Sequence, residues 1–359
     1  MTRLTRADLE ALPNYVPGRN VADLARELGI AEAIKLASNE VPYGPLPGVP
    51  EAVAEAVTQS HRYPDMGVLQ LRDKLADRYG VDPARIVTGC GSVALAEHLV
   101  KATCLPGDEI VYSWRSFEAY PIIAAGAGAA SIRVPNTPGH GHDLPQMSAA
   151  ITDQTRLVIV CNPNNPTGTA VHRAELDRFL DDVPSDVLVI LDEAYREFVT
   201  DADVPDALET YGGRANVVVL RTMSKAWGLA GFRIGFLVAQ SEVAAAVRKV
   251  VTPFSTSLVA QAAALAALDA EDEVKRRCAI VVSERERVAE ALRKLSVDVP
   301  TSQANFVWLP LGDRAAAFGS ACESRGVIVR AFQPDGVRVT IGTPEENDAF
   351  LAAAEAALA

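Results

Sequence analysis

Long apolar runs are missing from this chain. No stretch approaches the roughly 18 apolar residues that a membrane-spanning helix requires, and the N-terminus lacks a basic region followed by an apolar one. A soluble, cytoplasmic protein is therefore expected. Positive charge is also short: 34 Lys and Arg stand against 46 Asp and Glu, a net charge of −12. Such a balance repels phosphate backbones and anionic membranes, so neither a nucleic acid nor a membrane is expected as partner, and any anion site must be local. Cysteine is sparse and scattered. The five lie at 90, 104, 161, 278 and 322, an odd number with no C-x-x-C pair, which gives neither a disulfide framework nor a metal site. Histidine adds no metal either, since His140 and His142 fall in Pro138-Gly-His-Gly-His142, which reads as a turn. The dinucleotide pattern G-x-G-x-x-G and internal repeats are absent as well.

What is present is a hydrophobic fraction of 49% over 359 residues, enough for a large core divided between two sub-domains. Residues 1–35 read as polar and irregular, with a Pro/Gly-punctuated arm around Tyr15. Asn39 and Glu40 sit among turn formers, where an Asx turn is the local expectation. Helical periodicity covers 48–60 and 67–80, with a break at Arg62-Tyr-Pro-Asp65. Ile86-Val-Thr-Gly-Cys-Gly-Ser-Val93 reads as a strand end, a glycine turn and a helix start, whose free N–H groups form an anion site. Glu109–Tyr112 is a short strand; Phe117 and Tyr120, at helical spacing, read as core; Ala124–Ala130 reads as a helix end and turn.

The middle of the chain is the most informative. Leu157–Cys161, Val187–Leu191 and Val217–Leu220 are continuous apolar runs, as expected of strands buried on both faces. Each ends in a polar tip: Asn162-Pro-Asn-Asn-Pro-Thr-Gly168, Asp192-Glu-Ala-Tyr195 and the segment leading to Lys225. A mostly parallel sheet would gather Asn165, Asp192, Tyr195 and Lys225 at its carboxyl edge, where open α/β sheets bind ligands. Helices at 242–250, 258–270 and 272–295 precede alternating strands at 305–309, 327–330 and 337–341, which suggest a smaller α+β unit with its own antiparallel sheet. Arg330 and Arg338 fall at or inside those strands. Each needs an anion, either an acid within the protein or part of a substrate.

The stretch Thr222–Gly235 places Lys225 and Arg233 among Ser224 and three glycines. Pyridoxal phosphate would need a lysine for its aldehyde, and Lys225 supplies one. Its ring nitrogen would need a carboxylate, for which Asp192 is suited, and its phenolate oxygen would need donors, which Asn165 and Tyr195 offer. Its phosphate would need N–H groups, hydroxyls and a cation. Gly91, Ser92, Val93, Ser224 and Arg233 fit that part, and Phe117 could cover the ring.

Five segments carry a resemblance: Leu36–Glu40, Arg62–Asp65, Asn162–Gly168, Leu191–Tyr195 and Ser224–Arg233. In this order and over almost the whole chain, they resemble the fold-type I pyridoxal-phosphate aminotransferases of the histidinol-phosphate/aromatic branch. The resemblance implies an α/β fold, with a large domain whose mostly parallel sheet is flanked by helices and a smaller α+β domain. It further implies an arm at 1–36 that contributes to the small domain, a large cofactor-binding domain at 37–254 and a small domain at 255–359. By the same resemblance Lys225 bonds covalently to the cofactor and moves protons, Asp192 meets the ring nitrogen, and Asn165 and Tyr195 meet the phenolate oxygen. Ser92, Ser224 and Arg233, with backbone from Gly91 and Val93, hold the phosphate, and Phe117 stands where the family usually stacks a tyrosine. Tyr63 corresponds to a tyrosine that reaches the neighbouring subunit's cofactor, which implies a homodimer with shared active sites. Arg338 corresponds to the arginine that takes the substrate's anion, with Tyr15, Asn39 and Arg330 around it.

Three segments, Cys90–Val93, Trp114–Pro121 and Ser302–Pro310, look more like actinobacterial aromatic aminotransferases than like enzymes of histidine synthesis. The resemblance thus implies ping-pong transfer of an amino group between aromatic amino acids and 2-oxoglutarate. Histidinol phosphate is the alternative substrate, because it also joins an amine, a ring and an anion. A lyase resembling the phosphothreonine decarboxylases would keep the same cofactor residues. A regulator that binds the cofactor without catalysis would need a DNA-binding domain, for which no basic segment is visible.

Overall fold

The computed structural model describes residues 4, 5, 12 and 20–359, so the expectation for Tyr15 lies outside the described residues. In chain order the strands are β1 (Ile34–Leu36), β2 (Ile86–Gly89), β3 (Glu109–Trp114), β4 (Ala130–Pro135), β5 (Thr155–Cys161), β6 (Leu188–Asp192), β7 (Val217–Thr222), β8 (Gly235–Val238), β9 (Phe306–Leu309), β10 (Val327–Phe332) and β11 (Gly336–Thr340). The helices are α1 (Val21–Leu28), α2 (Val49–Val57), α3 (Leu69–Tyr79), α4 (Ser92–Thr103), α5 (Ala119–Ala127), α6 (Leu144–Ala149), α7 (Arg173–Asp182), α8 (Ala207–Tyr211), α9 (Ser241–Val250), α10 (Leu258–Asp269), α11 (Glu271–Lys294), α12 (Ala315–Glu323) and α13 (Pro344–Leu358).

Seven strands form the larger sheet in the order β2-β8-β7-β6-β5-β3-β4, with β8 alone running antiparallel to its neighbours. Its apolar runs are buried on both faces because successive side chains point opposite ways. Val158, Val160, Val189, Leu191 and Val219 join one core with α3, α7 and α10. Ile159, Ile190, Val218 and Leu220 join the other with α4, α5 and α9. The registers Cys161↔Asp192 and Asp192↔Leu220 bring the ends of β5 and β6 level with each other and within two residues of the end of β7, so their polar tips emerge side by side.

The second sheet has the order β1-β10-β11-β9. Strands β9, β10 and β11 are antiparallel as their alternation predicts, but β1 pairs parallel to β10, so the sheet is mixed. The N-terminal stretch is accordingly not all irregular. Asn20 caps α1 by accepting from the Ala22 and Asp23 N–H groups, and Gly29 ends it at φ 67°. The segment 124–130 holds the end of α5 and a turn at Gly128, as expected, and β4 begins at its last residue beside β3. Strand β8 is four residues long and begins at Gly235, the last residue of the glycine-spaced stretch.

The expected turn is present at 137–141, and His142 leaves it with its ring directed at β5. Its Nε2 lies 2.7 Å from the Cys161 carbonyl oxygen, and burial pushes its pKa down to about 4. Among the described residues no group of His, Cys, Asp and Glu is placed to hold a metal ion, and no helix is long and apolar enough to cross a membrane.

Candidate active site

A cavity of about 330 Å³ opens where the polar tips of the large sheet meet the small sheet. Lys225, Asp192, Tyr195, Asn165, Ser92, Val93, Ser224, Arg233, Phe117, Asn39, Arg330 and Arg338 all line it. Such a volume suits a small ligand. Gly91 stands behind the lining, and Tyr63 lies elsewhere, 82% exposed and stacked on Phe254 with ring centroids 4.6 Å apart.

Lys225 leaves the end of β7 and donates from Nζ to the Ser38 carbonyl at 3.0 Å. Burial is the main cause of its lowered pKa, about 7; Arg338 and Arg233 push the same way, while Glu40 opposes them. A primary amine near neutrality is a usable nucleophile and proton carrier, which an ordinary lysine is not.

Asp192 ends β6 at 5% exposure. Its Oδ2 accepts from the Tyr120 hydroxyl at 2.7 Å, whereas Oδ1 is buried with no hydrogen-bond partner. Burial raises its pKa to about 6 against the smaller opposing pull of Tyr120 and the Ala194 N–H. A buried carboxylate oxygen without a partner is costly, so this atom suits a ligand's N–H. Tyr120 is core, as its helical spacing predicts, yet its hydroxyl positions Asp192. The only signal for that role in sequence is its place one helical turn beyond Phe117.

The loop after β5 carries Asn165, whose Oδ1 accepts from Arg338 Nη1 at 2.6 Å, leaving its NH₂ as the donating end. Asn39 is not merely a local turn. At φ 55° and 1% exposure it donates through Nδ2 to the Tyr195 hydroxyl at 2.9 Å, and its own N–H and Oδ1 both bond Thr340 on β11. It thereby ties the small sheet to the wall of the cavity. Burial raises the Tyr195 pKa, so its hydroxyl keeps its proton and remains a donor.

The other end of the cavity is a cradle for an anion. Helix α4 starts at Ser92 with no side-chain cap, so its first N–H groups and the positive end of its dipole are available. Arg233 sits opposite at φ 58° and donates to Ser224 Oγ at 3.3 Å and to the Ala230 carbonyl at 2.9 Å. Gly91 is required here, since φ is 82° and a Cβ would lie 2.6 Å from Arg233 Nη2. A Cβ on Gly235 would lie 2.7 Å from the Ser92 nitrogen and 3.0 Å from the Arg221 carbonyl oxygen. Gly91 thus makes room for the Arg233 guanidinium, and Gly235 for a close approach of backbone to backbone.

The two strand arginines resolve differently. Arg330 has an internal acid, Glu118, with Nη2 2.9 Å from Oε2. Arg338 donates to Asn165 and to the Ala37 carbonyl oxygen, with its guanidinium 5.5 Å from the ring centres of Phe306 and Phe332.

The donor set of this cavity, a buried near-neutral lysine, an unpartnered carboxylate oxygen and an anion cradle, is that of an enzyme working on an amine through an anionic cofactor. Residues 31–353 match the model of the family described as aminotransferase class I and II, and the chain belongs to that family. It is 58% identical over 350 residues to an aromatic amino acid aminotransferase of Streptomyces coelicolor, covering 98% of this chain and 96% of the relative. It is 56% identical over 350 residues to the protein of that description in Streptomyces avermitilis, with the same coverage of both. Among solved structures, a histidinol-phosphate aminotransferase from Sinorhizobium meliloti in complex with pyridoxal-5'-phosphate superposes with a TM-score of 0.90 at 28% identity, covering 100% of this chain and 98% of that one. The α/β architecture with its two sheets is that of these aminotransferases.

Proposed function

We propose that this protein transfers amino groups between aromatic amino acids and 2-oxoglutarate with pyridoxal 5'-phosphate as cofactor, working as a homodimer. The observation that carries the cofactor is the buried, unpartnered Asp192 Oδ1 in the same cavity as the buried Lys225. The substrate class follows from relatives more than half identical over nearly the full chain, all described as aromatic amino acid aminotransferases. It agrees with Phe117 and Phe332 in the cavity wall.

Ser92, Val93, Ser224 and Arg233, with Gly91 behind them, would hold the phosphate. Asn165 and Tyr195 would donate to the phenolate oxygen, Asp192 would hold the ring nitrogen's proton, and Phe117 would cover the ring. Bound pyridoxal phosphate supplies a carbonyl for the amine and a ring that takes up electron density from the substrate Cα. Lys225 Nζ, whose lowered pKa of about 7 leaves a large share of it unprotonated at neutral pH, takes the proton from Cα and returns it on the other side of the exchange. Arg338 holds the substrate carboxylate, with Arg330 and Asn39 around it, and Asn165 orients Arg338. We assign residues 37–254 to the cofactor-binding unit and 255–359, with the described stretch 20–36, to the smaller one, except that α10 packs on α2 and α3 and so sides with the larger unit.

Reduction of the loaded protein with borohydride, followed by peptide mass mapping, tests the cofactor assignment. The phosphopyridoxyl label is expected on Lys225 and absent from Lys225→Ala; a label on another lysine contradicts the assignment. The dimer is supported by the exposed Tyr63, Met66, Leu69 and Phe254, too many apolar side chains for an idle surface. A monomer in sedimentation at micromolar concentration would refute it.

A further inference from the structure

Arg330 and Arg338 are direct partners in the register of β10 and β11, so two guanidiniums share one wall of the cavity. Like charges placed opposite each other on a sheet destabilise it unless something offsets them. Phe332 lies beside both, its ring centre 5.4 Å from the Arg330 guanidinium and 5.5 Å from that of Arg338.

The offset is Glu118. It occupies the N-cap position of α5 but makes no side-chain cap there. Its carboxylate instead reaches Arg330, 212 residues away in sequence, at 2.9 Å, with Arg330 16% and Glu118 30% exposed. The positive end of α5 favours the ionised carboxylate at this position. Asp335 does not serve the same wall, because it pairs with Arg115. Arg330, Arg338 and Glu118 together carry a net charge of one.

We infer that Glu118 is a specificity-determining residue, tuning the substrate wall to a singly charged carboxylate and against a phosphate ester. The inference rests on the proposed substrate site at Arg338. A phosphate monoester carries close to two charges above pH 7. It gains from a second guanidinium only when that guanidinium is not already occupied, and it meets Glu118 as a like charge. A carboxylate monoanion needs one guanidinium and is repelled less. Discrimination of this kind works through a repulsive element as well as an attractive one.

Calorimetric titration of the cofactor-loaded enzyme at pH 8 with 3-phenylpropionate and 2-phenylethyl phosphate tests this, since the two ligands share a ring and differ in the anion. The wild type should prefer the carboxylate. Glu118→Gln should shift the affinity ratio about tenfold toward the phosphate. Arg330→Gln should shift it the other way, and the double variant, whose wall again carries one net positive charge, should return toward the wild-type ratio. A ratio that stays within about twofold in Glu118→Gln, or a double variant that does not return, overturns the inference. Inorganic phosphate and acetate, titrated as ring-free probes, must show the same order of shifts. Loss of phenylalanine turnover in the wild type would instead refute the aromatic reading, leaving the ring-free comparison to decide Glu118.

Discussion

Lys225 has a proton equilibrium that can be tested without the cofactor. Its pKa falls from the usual lysine value of 10.5 to about 7 in the fold, chiefly by burial. Between these values the unfolded chain binds the proton and the folded one does not, so stability rises with pH from about 7 to 10.5 and is lost as pH falls through 7. Lys225→Met removes that dependence. In thermal melts of cofactor-free protein, the melting temperature of the wild type relative to Lys225→Met should climb as pH is raised from 7 to 10; a flat difference would show that the amine is not buried. At this scale much was legible. Asn165, Asp192, Tyr195 and Lys225 lie at or just beyond the ends of three buried runs, and one sheet edge brings them together. Tyr120 and Glu118 were not, because their roles depend on partners 72 and 212 residues away. Arg330 shows the same limit: sequence left an internal acid and a substrate anion open, and only packing identifies Glu118.

Elements explain the shape of the anion cradle. Strand β8 runs antiparallel between β2 and β7, and Gly235 at its start lets it lie against the turn that opens α4. Gly235→Ala would press a methyl group onto the Ser92 nitrogen, the Gly91 carbonyl carbon and the Arg221 carbonyl oxygen, all backbone atoms that cannot swing aside. Overpacking of this kind costs about 1–3 kcal/mol. Fluorescence titration should show cofactor affinity reduced about tenfold or more, and an unaltered dissociation constant would contradict the role given to this contact. Helices α10 and α11 could be read ahead of the structure because their periodicity spans several turns. Strands β1, β4 and β8 could not, being short, at a sheet edge or glycine-led, so tertiary pairing decides them.

In the whole molecule the site belongs to neither sheet alone. Asn39 bonds Tyr195 from one side and Thr340 from the other, and Arg338 on β11 reaches Asn165 beyond β5. Order along the chain does not announce this meeting, since β1 crosses from the N-terminal segment to pair with β10. On the proposed function this junction handles amine, ring and carboxylate together. Stopped-flow spectroscopy of the half-reaction, with phenylalanine, tyrosine and histidinol phosphate offered separately to the cofactor-loaded enzyme, tests it most directly. Phenylalanine and tyrosine should convert the cofactor with specificity constants at least about tenfold above that of histidinol phosphate. A higher constant for histidinol phosphate would contradict the account.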